Sequence, residues 1–124
     1  MQLTKSEEQL MRYLWKLEKC FFKELKEEYP DPKPATTTIN TFLKKLIEKG
    51  FVSYQLHGNS RQYYALISKE QYFSGQMKGL LKNFFNNSVE QFGSFFTKEI
   101  DISDEDLIKL RKIVDDKIKS KSND

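Results

Sequence analysis

Apolar residues recur with a helical period through most of the first 50 positions. Leu10, Met11 and Leu14 follow at intervals of one and three residues, which places them on one face of a helix. Thr4 and Glu7 form a Thr-x-x-Glu capping box just before this stripe, so the first helix begins there. The same reasoning predicts three helices in this part of the chain, over residues 4–17, 22–29 and 36–49.

The third of these helices has an unusual beginning. The segment PATTTINTFLKKLIEKG places four threonines in its first two turns, although β-branched side chains lose rotamer freedom in a helix. Ile39, Leu43 and Leu46 supply its apolar face, and Gly50 supplies a stop signal. The exposed face therefore carries residues that do little for helix stability, which raises the question of what they contact.

The period changes after Gly50. FVSYQL and RQYYALI are short, aromatic and β-branched segments, and they flank the turn sequence HGNS. This pattern predicts a β-hairpin with a Gly-Asn turn. Three helices followed by a hairpin is the order of a winged helix-turn-helix domain. We therefore expect a mainly α fold with a small β-hairpin.

Helical patterning returns from Ser68 onward, over residues 69–85, 86–96 and 101–119, with a frayed tail expected over 120–124. The apolar stripes of these segments could pack back onto the first domain or against a second copy of the chain. We favour a homodimer, because helix-turn-helix modules usually bind two half-sites as symmetric dimers. The prediction is a winged-helix DNA-binding domain over 1–67 and a helical dimerisation domain over 68–124. The residues expected at the dimer interface are Phe73, Met77, Leu80, Leu81, Phe84, Phe92, Phe96, Leu107, Leu110, Ile113 and Val114.

Charge is unevenly distributed along the 124 residues. The net charge of +3 lies entirely in the first 66 residues, which carry eleven basic and eight acidic side chains. This excess favours an anionic partner for that half. No apolar run reaches the ~18–20 residues of a membrane span, and the N-terminus lacks an apolar signal core. We expect a cytoplasmic protein without membrane insertion.

Candidate chemistry is sparse in this sequence. Glycine-rich phosphate loops, Gly-x-Ser-x-Gly and His-Glu-x-x-His do not occur, so we expect neither an enzyme nor a cofactor or metal site. Cys20 is the single cysteine, and a small buried hydrophobe is favoured over a redox-active thiol. His57 is expected at an exposed loop tip. The adjacent carboxylates Glu7 and Glu8 are expected to be solvated.

Three segments resemble the penicillinase and methicillin-resistance repressors. LTKSEEQLMRYLW is similar to their opening, with a Thr cap, an acidic first turn, a Met and a Trp. TTTINTFLKKLIEKGFV is similar to their recognition helix, with Thr-hydrophobe-x-Thr, then Leu, a basic residue, Leu and Lys-Gly. DISDEDLIKLRKIV is similar to their last helix, and Tyr63 and Tyr64 match the strand tyrosines. The resemblance covers nearly the whole chain.

The resemblance implies a homodimeric transcriptional repressor that binds palindromic operators and dimerises through its C-terminal helices. In some members, a membrane sensor that detects β-lactam triggers proteolysis of the C-terminal domain. A membrane sensor protease is therefore a candidate partner. Other members release DNA on binding copper through a cysteine-rich tail, which this chain lacks.

Several positions depart from the family pattern. Phe95-Phe96 stands where cleaved members carry Asn-Phe, so these two residues form the candidate cleavage junction. Gly58-Asn59 replaces Gly-Arg at the wing tip. Ala35 replaces the Ser that caps the third helix, so the cap either moves to a neighbouring threonine or is lost.

In a winged helix, the third helix enters the major groove with its N-terminal residues near the base edges. Short hydroxyl side chains let the backbone approach the DNA, and basic side chains neutralise phosphate. The residues predicted to contact DNA are Thr37, Thr38 and Thr41 for bases or backbone, Asn40 for adenine, Lys44 and Lys45 for phosphate or guanine, and Asn59 and Arg61 for the flanking backbone or minor groove. A capped helix start and a solvated face would also explain the threonines and lysines. A winged-helix protein-interaction module without specific DNA binding is the alternative.

Overall fold

The computed structural model describes residues 2–122 and divides the chain into two compact units, Met1–Met77 and Lys78–Asp124. The predicted mainly helical fold with a small hairpin is confirmed. The division into domains at residues 67 and 68 stays a prediction. The elements in chain order are α1 (Lys5–Leu17), β1 (Lys19–Phe21), α2 (Phe22–Glu28), α3 (Thr36–Glu48), β2 (Val52–His57), β3 (Ser60–Ala65), α4 (Lys69–Phe85), α5 (Val89–Glu99) and α6 (Asp104–Ser122).

Helix α1 begins as its capping box predicts. The Thr4 hydroxyl accepts a hydrogen bond from the Glu7 amide at 3.1 Å, and the Glu7 carboxylate accepts one from the Thr4 amide at 2.9 Å. Two backbone donors that the helix start would leave without a partner are satisfied in this way.

The prediction of a solvated carboxylate is wrong for Glu7, which is buried, whereas Glu8 is half-buried. Glu7 is 1% exposed, and one of its oxygens lies 2.6 Å from the Lys49 ammonium at the end of α3. Glu8 accepts a hydrogen bond from the Tyr72 hydroxyl at 2.7 Å. Both carboxylates therefore tie α1 to later parts of the first unit.

The sheet has one strand more than the sequence predicts. Strand β1 falls in the stretch predicted as a connection between the first two helices, and it pairs antiparallel with β3. The sheet order is β1-β3-β2, with Cys20 opposite Tyr63. A strand of three residues is too short for periodicity to reveal, and it forms here because β3 offers it a free edge.

The hairpin of β2 and β3 has the predicted two-residue loop. The strands pair from Val52 opposite Ala65 to His57 opposite Ser60, which leaves Gly58 and Asn59 as the loop. Gly58 has φ +63°, in the left-handed region that glycine adopts without strain. Because cross-strand partners share a face, Tyr54, Tyr63 and Arg61 all lie on the same side of the hairpin.

The core of the first unit lies between the helices and the inner face of the sheet. The start of α4 belongs to it, because Tyr72 is buried and the Trp15 indole donates a hydrogen bond to the Ile67 carbonyl at 2.8 Å. The buried apolar residues are Leu3, Leu10, Met11, Leu14, Cys20, Leu25, Tyr29, Ile39, Leu43, Leu46, Phe51, Val52, Tyr63 and Tyr72.

The second unit contains no buried side chain within residues 78–122. The ring of Phe85 at the end of α4 lies 5.6 Å from that of Phe92 and 5.4 Å from that of Phe95, both on α5. Helix α6 continues through Ser122, so the predicted frayed tail is wrong for residues 120–122. The rest of that tail, residues 123 and 124, lies outside the described part of the chain.

Candidate nucleic-acid interface

Helix α3 has one buried face and one exposed face. Ile39, Leu43 and Leu46 are buried in the core of the first unit and fix the helix there. The opposite face is fully available to a partner. The predicted DNA-contacting residues of the helix, all of them exposed, are Thr37, Thr38, Asn40, Thr41, Lys44 and Lys45.

The start of α3 has no side-chain cap. Ala35 occupies the cap position, and its carbonyl accepts backbone hydrogen bonds from Thr38 at 3.0 Å and Ile39 at 3.1 Å. Thr36 does not replace the missing cap, because its hydroxyl accepts a hydrogen bond from the Lys26 ammonium at 3.1 Å. This bond connects α2 to the first turn of α3, so the two helices of the helix-turn-helix are tied where the capping hydroxyl is missing.

The hydroxyl of Thr41 is already used as a donor. It donates to the Thr37 carbonyl one turn earlier, at 2.9 Å. Its proton therefore points into the helix, and its lone pairs remain as acceptors. A base partner for this hydroxyl must then be a donor, such as the amino group of adenine or cytosine in the major groove.

Arg61 lies on the face of the hairpin that contains Tyr54 and Tyr63. Its guanidinium carbon is 4.3 Å from the centroid of the Tyr54 ring, within the range of a cation–π contact. Asn59 is exposed at the loop between the strands. The wing therefore offers one cationic side chain, from Arg61, and one amide side chain, from Asn59.

A groove runs between α3 and the hairpin. Three predicted contact residues, Asn40, Lys44 and Arg61, line it together. Asn59 does not reach this groove, and it lines a second depression with Arg61, beside the end of β1 and the start of α2. The other residues of the first groove are Leu43, Ile47, Glu48, Tyr54 and Tyr63.

Tyr54 and Glu48 are the two residues of this groove that the sequence reasoning missed. A sheet register would have placed Tyr54 next to Arg61, and the helical spacing of Glu48 from Lys44 and Thr41 puts it on the exposed face. Glu48 sets a negative charge at the C-terminal end of that face.

The cations of this surface are available to an anion. Among residues 2–122, no carboxylate lies within ion-pair distance of Lys44, Lys45 or Arg61. Lys49, by contrast, has its charge neutralised by the buried Glu7. Within the described residues, the face that α3 and the wing share therefore carries three cations without an ion-pair partner.

The residues predicted at a dimer interface are only partly covered. Phe84, Ile113 and Val114 are 74%, 65% and 49% exposed, although each is a large apolar side chain. The other exposed members are Phe73, Met77, Leu80 and Leu110, and the half-buried ones are Leu81, Phe92, Phe96 and Leu107.

The candidate cleavage junction lies inside a helix. Phe95 and Phe96 are both within α5, with Phe95 42% exposed and Phe96 half-buried. The ring of Phe96 lies 5.8 Å from that of Phe92, one turn earlier.

The chain has one cysteine, Cys20, and one histidine, His57. Cys20 is buried, and burial, with the nearby charges of Glu24 and Glu28, raises its pKa to about 11. His57 is exposed, as predicted, but it lies on β2, and its Nε2 is 3.0 Å from the Gln62 side-chain oxygen.

Residues 2–122 contain no group of three or more His, Cys, Asp or Glu able to hold a metal ion. No helix in that range combines the length and apolar character that a membrane crossing requires.

The three-helix core, the small sheet and the projecting hairpin define a winged helix-turn-helix protein. A crystal structure of a mutant MarR from E. coli has the same fold, with a TM-score of 0.51 at 11% sequence identity over 94% of this chain and 78% of that one. The family model named Penicillinase repressor matches residues 3–116, so the chain belongs to that family. A comparison with curated proteins gave no match. The protein is therefore a DNA-binding transcriptional repressor and not an enzyme.

Proposed function

We propose that the protein represses transcription as a homodimer bound to a two-fold symmetric operator. The observation that supports the dimer is the apolar surface of the second unit. Ten large apolar side chains within residues 78–122 are between 38% and 76% exposed. A surface of this kind marks an interaction site on a soluble fold. A second copy of the same surface covers it with matching chemistry, as in an isologous two-fold interface.

Each protomer would place α3 in the major groove of one half-site. Thr37, Thr38 and Thr41 approach the base edges, and Asn40 is suited to adenine because its amide can donate and accept at once. Lys44 and Lys45 contact phosphate oxygens or the acceptor atoms of guanine. The wing contacts the flanking backbone or minor groove through the side chains of Asn59 and Arg61.

Proteolysis in the second unit would separate repressor from operator. Proteases bind their substrates extended, so cleavage between Phe95 and Phe96 requires local unfolding of α5. In a protomer free of its partner, the exposed apolar side chains and the absence of buried side chains in residues 78–122 support a low cost for such opening. A membrane sensor protease is the proposed partner in this step. Incubation with the candidate protease and mass determination of the fragments tests the junction, and a cut elsewhere would reject it.

Selection of bound duplexes from a random DNA pool tests the operator proposal. The recovered sequences should share two inverted half-sites, with centres about 10 base pairs or a multiple apart. Binding should weaken steeply with salt, and Lys44→Ala should reduce the slope of log K against log salt by about 1 per bound protomer. Recovery of no common sequence would favour the winged-helix interaction module instead.

Sedimentation velocity tests the dimer. Val114→Asp places a carboxylate on the apolar stripe of α6 formed by Leu107, Leu110 and Val114, and should yield monomers, because burying an unpaired charge costs several kcal/mol. Ile108→Asp is the matched control, since Ile108 lies on the same helix but off that stripe, and it should remain dimeric. A wild-type protein that sediments as a monomer at micromolar concentration would refute the dimer.

Thr41→Val tests direct reading by a hydroxyl. The substitution keeps the shape of the side chain and removes both its acceptor and its bond to the Thr37 carbonyl. Affinity for the selected duplex should fall, and discrimination at one base pair should relax, by about 0.5–1.5 kcal/mol, the net contribution of one hydrogen bond. An unchanged base preference would remove Thr41 from the list of readers.

A further inference from the structure

The side chain of Arg61 is held by a neighbour that no motif indicates. Arg61 lies opposite Leu56 in the hairpin, and Tyr54 lies two residues before Leu56, on the same face. The guanidinium carbon is 4.3 Å from the centre of the Tyr54 ring, so the cation lies over the ring in a cation–π contact.

The Tyr54 ring is itself fixed in place. It packs edge to face against Tyr63, with the ring centres 5.9 Å apart and the planes at 62°. Tyr63, on β3, is only 5% exposed, and it pairs with the fully buried Cys20 of β1. A line of contacts therefore runs from the core through the two tyrosines to the exposed Arg61.

The guanidinium of Arg61 has five N–H donors. Within residues 2–122, none of them makes a hydrogen bond or ion pair, so they are free for other partners while the cation lies over the Tyr54 ring. The same groove contains Asn40 and Lys44 from α3. The donors of Arg61 are thus presented beside the recognition helix, with the long side chain already ordered.

From this geometry we infer that Tyr54 is a positioning residue of the DNA interface, which sets where the Arg61 guanidinium meets the DNA backbone. The inference rests on the proposed function, in which Arg61 contacts the flanking DNA. Ordering a flexible arginine upon binding lowers affinity, and an arginine that is ordered beforehand avoids most of this loss. Tyr54 therefore contributes to DNA affinity without itself touching a phosphate or base.

A set of four variants and one control tests this role. Tyr54→Leu removes the ring, Tyr54→Phe keeps it without the hydroxyl, and Arg61→Ala and the Tyr54→Leu/Arg61→Ala double variant complete the cycle. Tyr64→Leu is the matched control, because Tyr64 is a tyrosine of the same hairpin whose ring faces Lys19 on the opposite side of the sheet, at 5.9 Å.

The probes are a duplex recovered by selection and a random-sequence duplex. Tyr54→Leu should lower the affinity for both about two- to fivefold, the range expected for an exposed cation–π contact. Tyr54→Phe and Tyr64→Leu should bind as the wild type does. Arg61→Ala should reduce the salt slope by about 1 per protomer, and adding Tyr54→Leu to it should cause no further loss.

The free protein gives a readout that does not depend on DNA. The side-chain δ protons of Arg61 should show an upfield ring-current shift that persists in Tyr54→Phe and disappears in Tyr54→Leu. Equal losses of affinity from Tyr54→Leu with and without Arg61 would overturn the positioning role alone. An unchanged salt slope for Arg61→Ala would instead overturn the wing contact of the proposed function.

Discussion

The ion pair between Glu7 and Lys49 should make the stability of the first unit depend on pH in a distinctive way. Burial of Glu7 pushes its pKa up, but the hydrogen bonds from Lys49 and Thr4 outweigh that effect and hold the pKa below its usual value of 4.5. The folded protein therefore prefers the charged carboxylate. This contribution is fully present above pH 4.5 and is lost as the pH falls through the folded-state pKa.

Lys49→Met removes the cation and leaves the carboxylate buried. Breaking a fully buried pair in this way typically costs 3–5 kcal/mol. The side chain of Lys49 is 29% exposed, and Glu7 keeps its two bonds to Thr4, so we expect about 2–3 kcal/mol near pH 7. For a domain of this size the loss corresponds to a Tm lower by roughly 10–20 °C.

The pH dependence should change in that variant. Without Lys49, the burial of Glu7 is opposed only by its hydrogen bonds with Thr4, so the pKa of Glu7 should rise relative to its value in the wild type. The difference in unfolding free energy between wild type and Lys49→Met should therefore grow from about pH 3 to about pH 7. Urea titrations followed by the fluorescence of Trp15, the single tryptophan, measure it within the first unit.

Two control variants isolate the effect. Lys23→Met makes the same change at an exposed lysine of α2 and should shift stability by no more than about 0.5 kcal/mol. Glu7→Gln/Lys49→Met removes the titrating group, so its difference from wild type should no longer follow a raised Glu7 pKa. A Lys49→Met difference that is the same at every pH would refute the electrostatic reasoning, whatever its size.

Three further predictions concern Thr4, Cys20 and Thr38. Thr4→Ala breaks the capping box of α1 and should lower stability by ~1 kcal/mol in the same urea titration; no loss would mean the box is dispensable. Cys20, with a pKa of about 11, should resist a thiol reagent near pH 8 until urea is added, and fast labelling of the folded protein would contradict its burial. Thr38→Ala should raise the Tm slightly and weaken DNA binding, and a rise in both would remove Thr38 from the interface.

Local patterns were enough to predict most of the first unit. The capping box of α1, the buried stripe of α3 and the Gly58-Asn59 loop each depend on residues close together in the chain. Strand β1 and the buried Glu7 were missed because each depends on a distant partner. Glu7 is stable in the core only because Lys49, 42 residues later, reaches it. A local pattern cannot separate such a carboxylate from a solvated one.

The candidate site shows the same limit. Residue types identified the exposed face of α3, because hydroxyl, amide and basic side chains opposite an apolar stripe are suited to DNA. The convergence of Asn40, Lys44 and Arg61 on one groove depends on how the hairpin lies against the helix. The role proposed for Tyr54 depends on the strand register, which places its ring diagonally beside Arg61.

The threonine run in α3 is tolerated because the buried face of the helix, rather than the exposed face, supplies its stability. Each threonine costs up to about 0.7 kcal/mol relative to alanine, so four of them cost about 2–3 kcal/mol. Burial of Ile39, Leu43 and Leu46 contributes about 1.5–3 kcal/mol for each side chain, which exceeds that cost. The Lys26 bond to Thr36 further anchors the uncapped first turn. Because the core face holds the helix in place, the exposed face can carry residues that are poor helix formers but suited to the proposed contact with DNA.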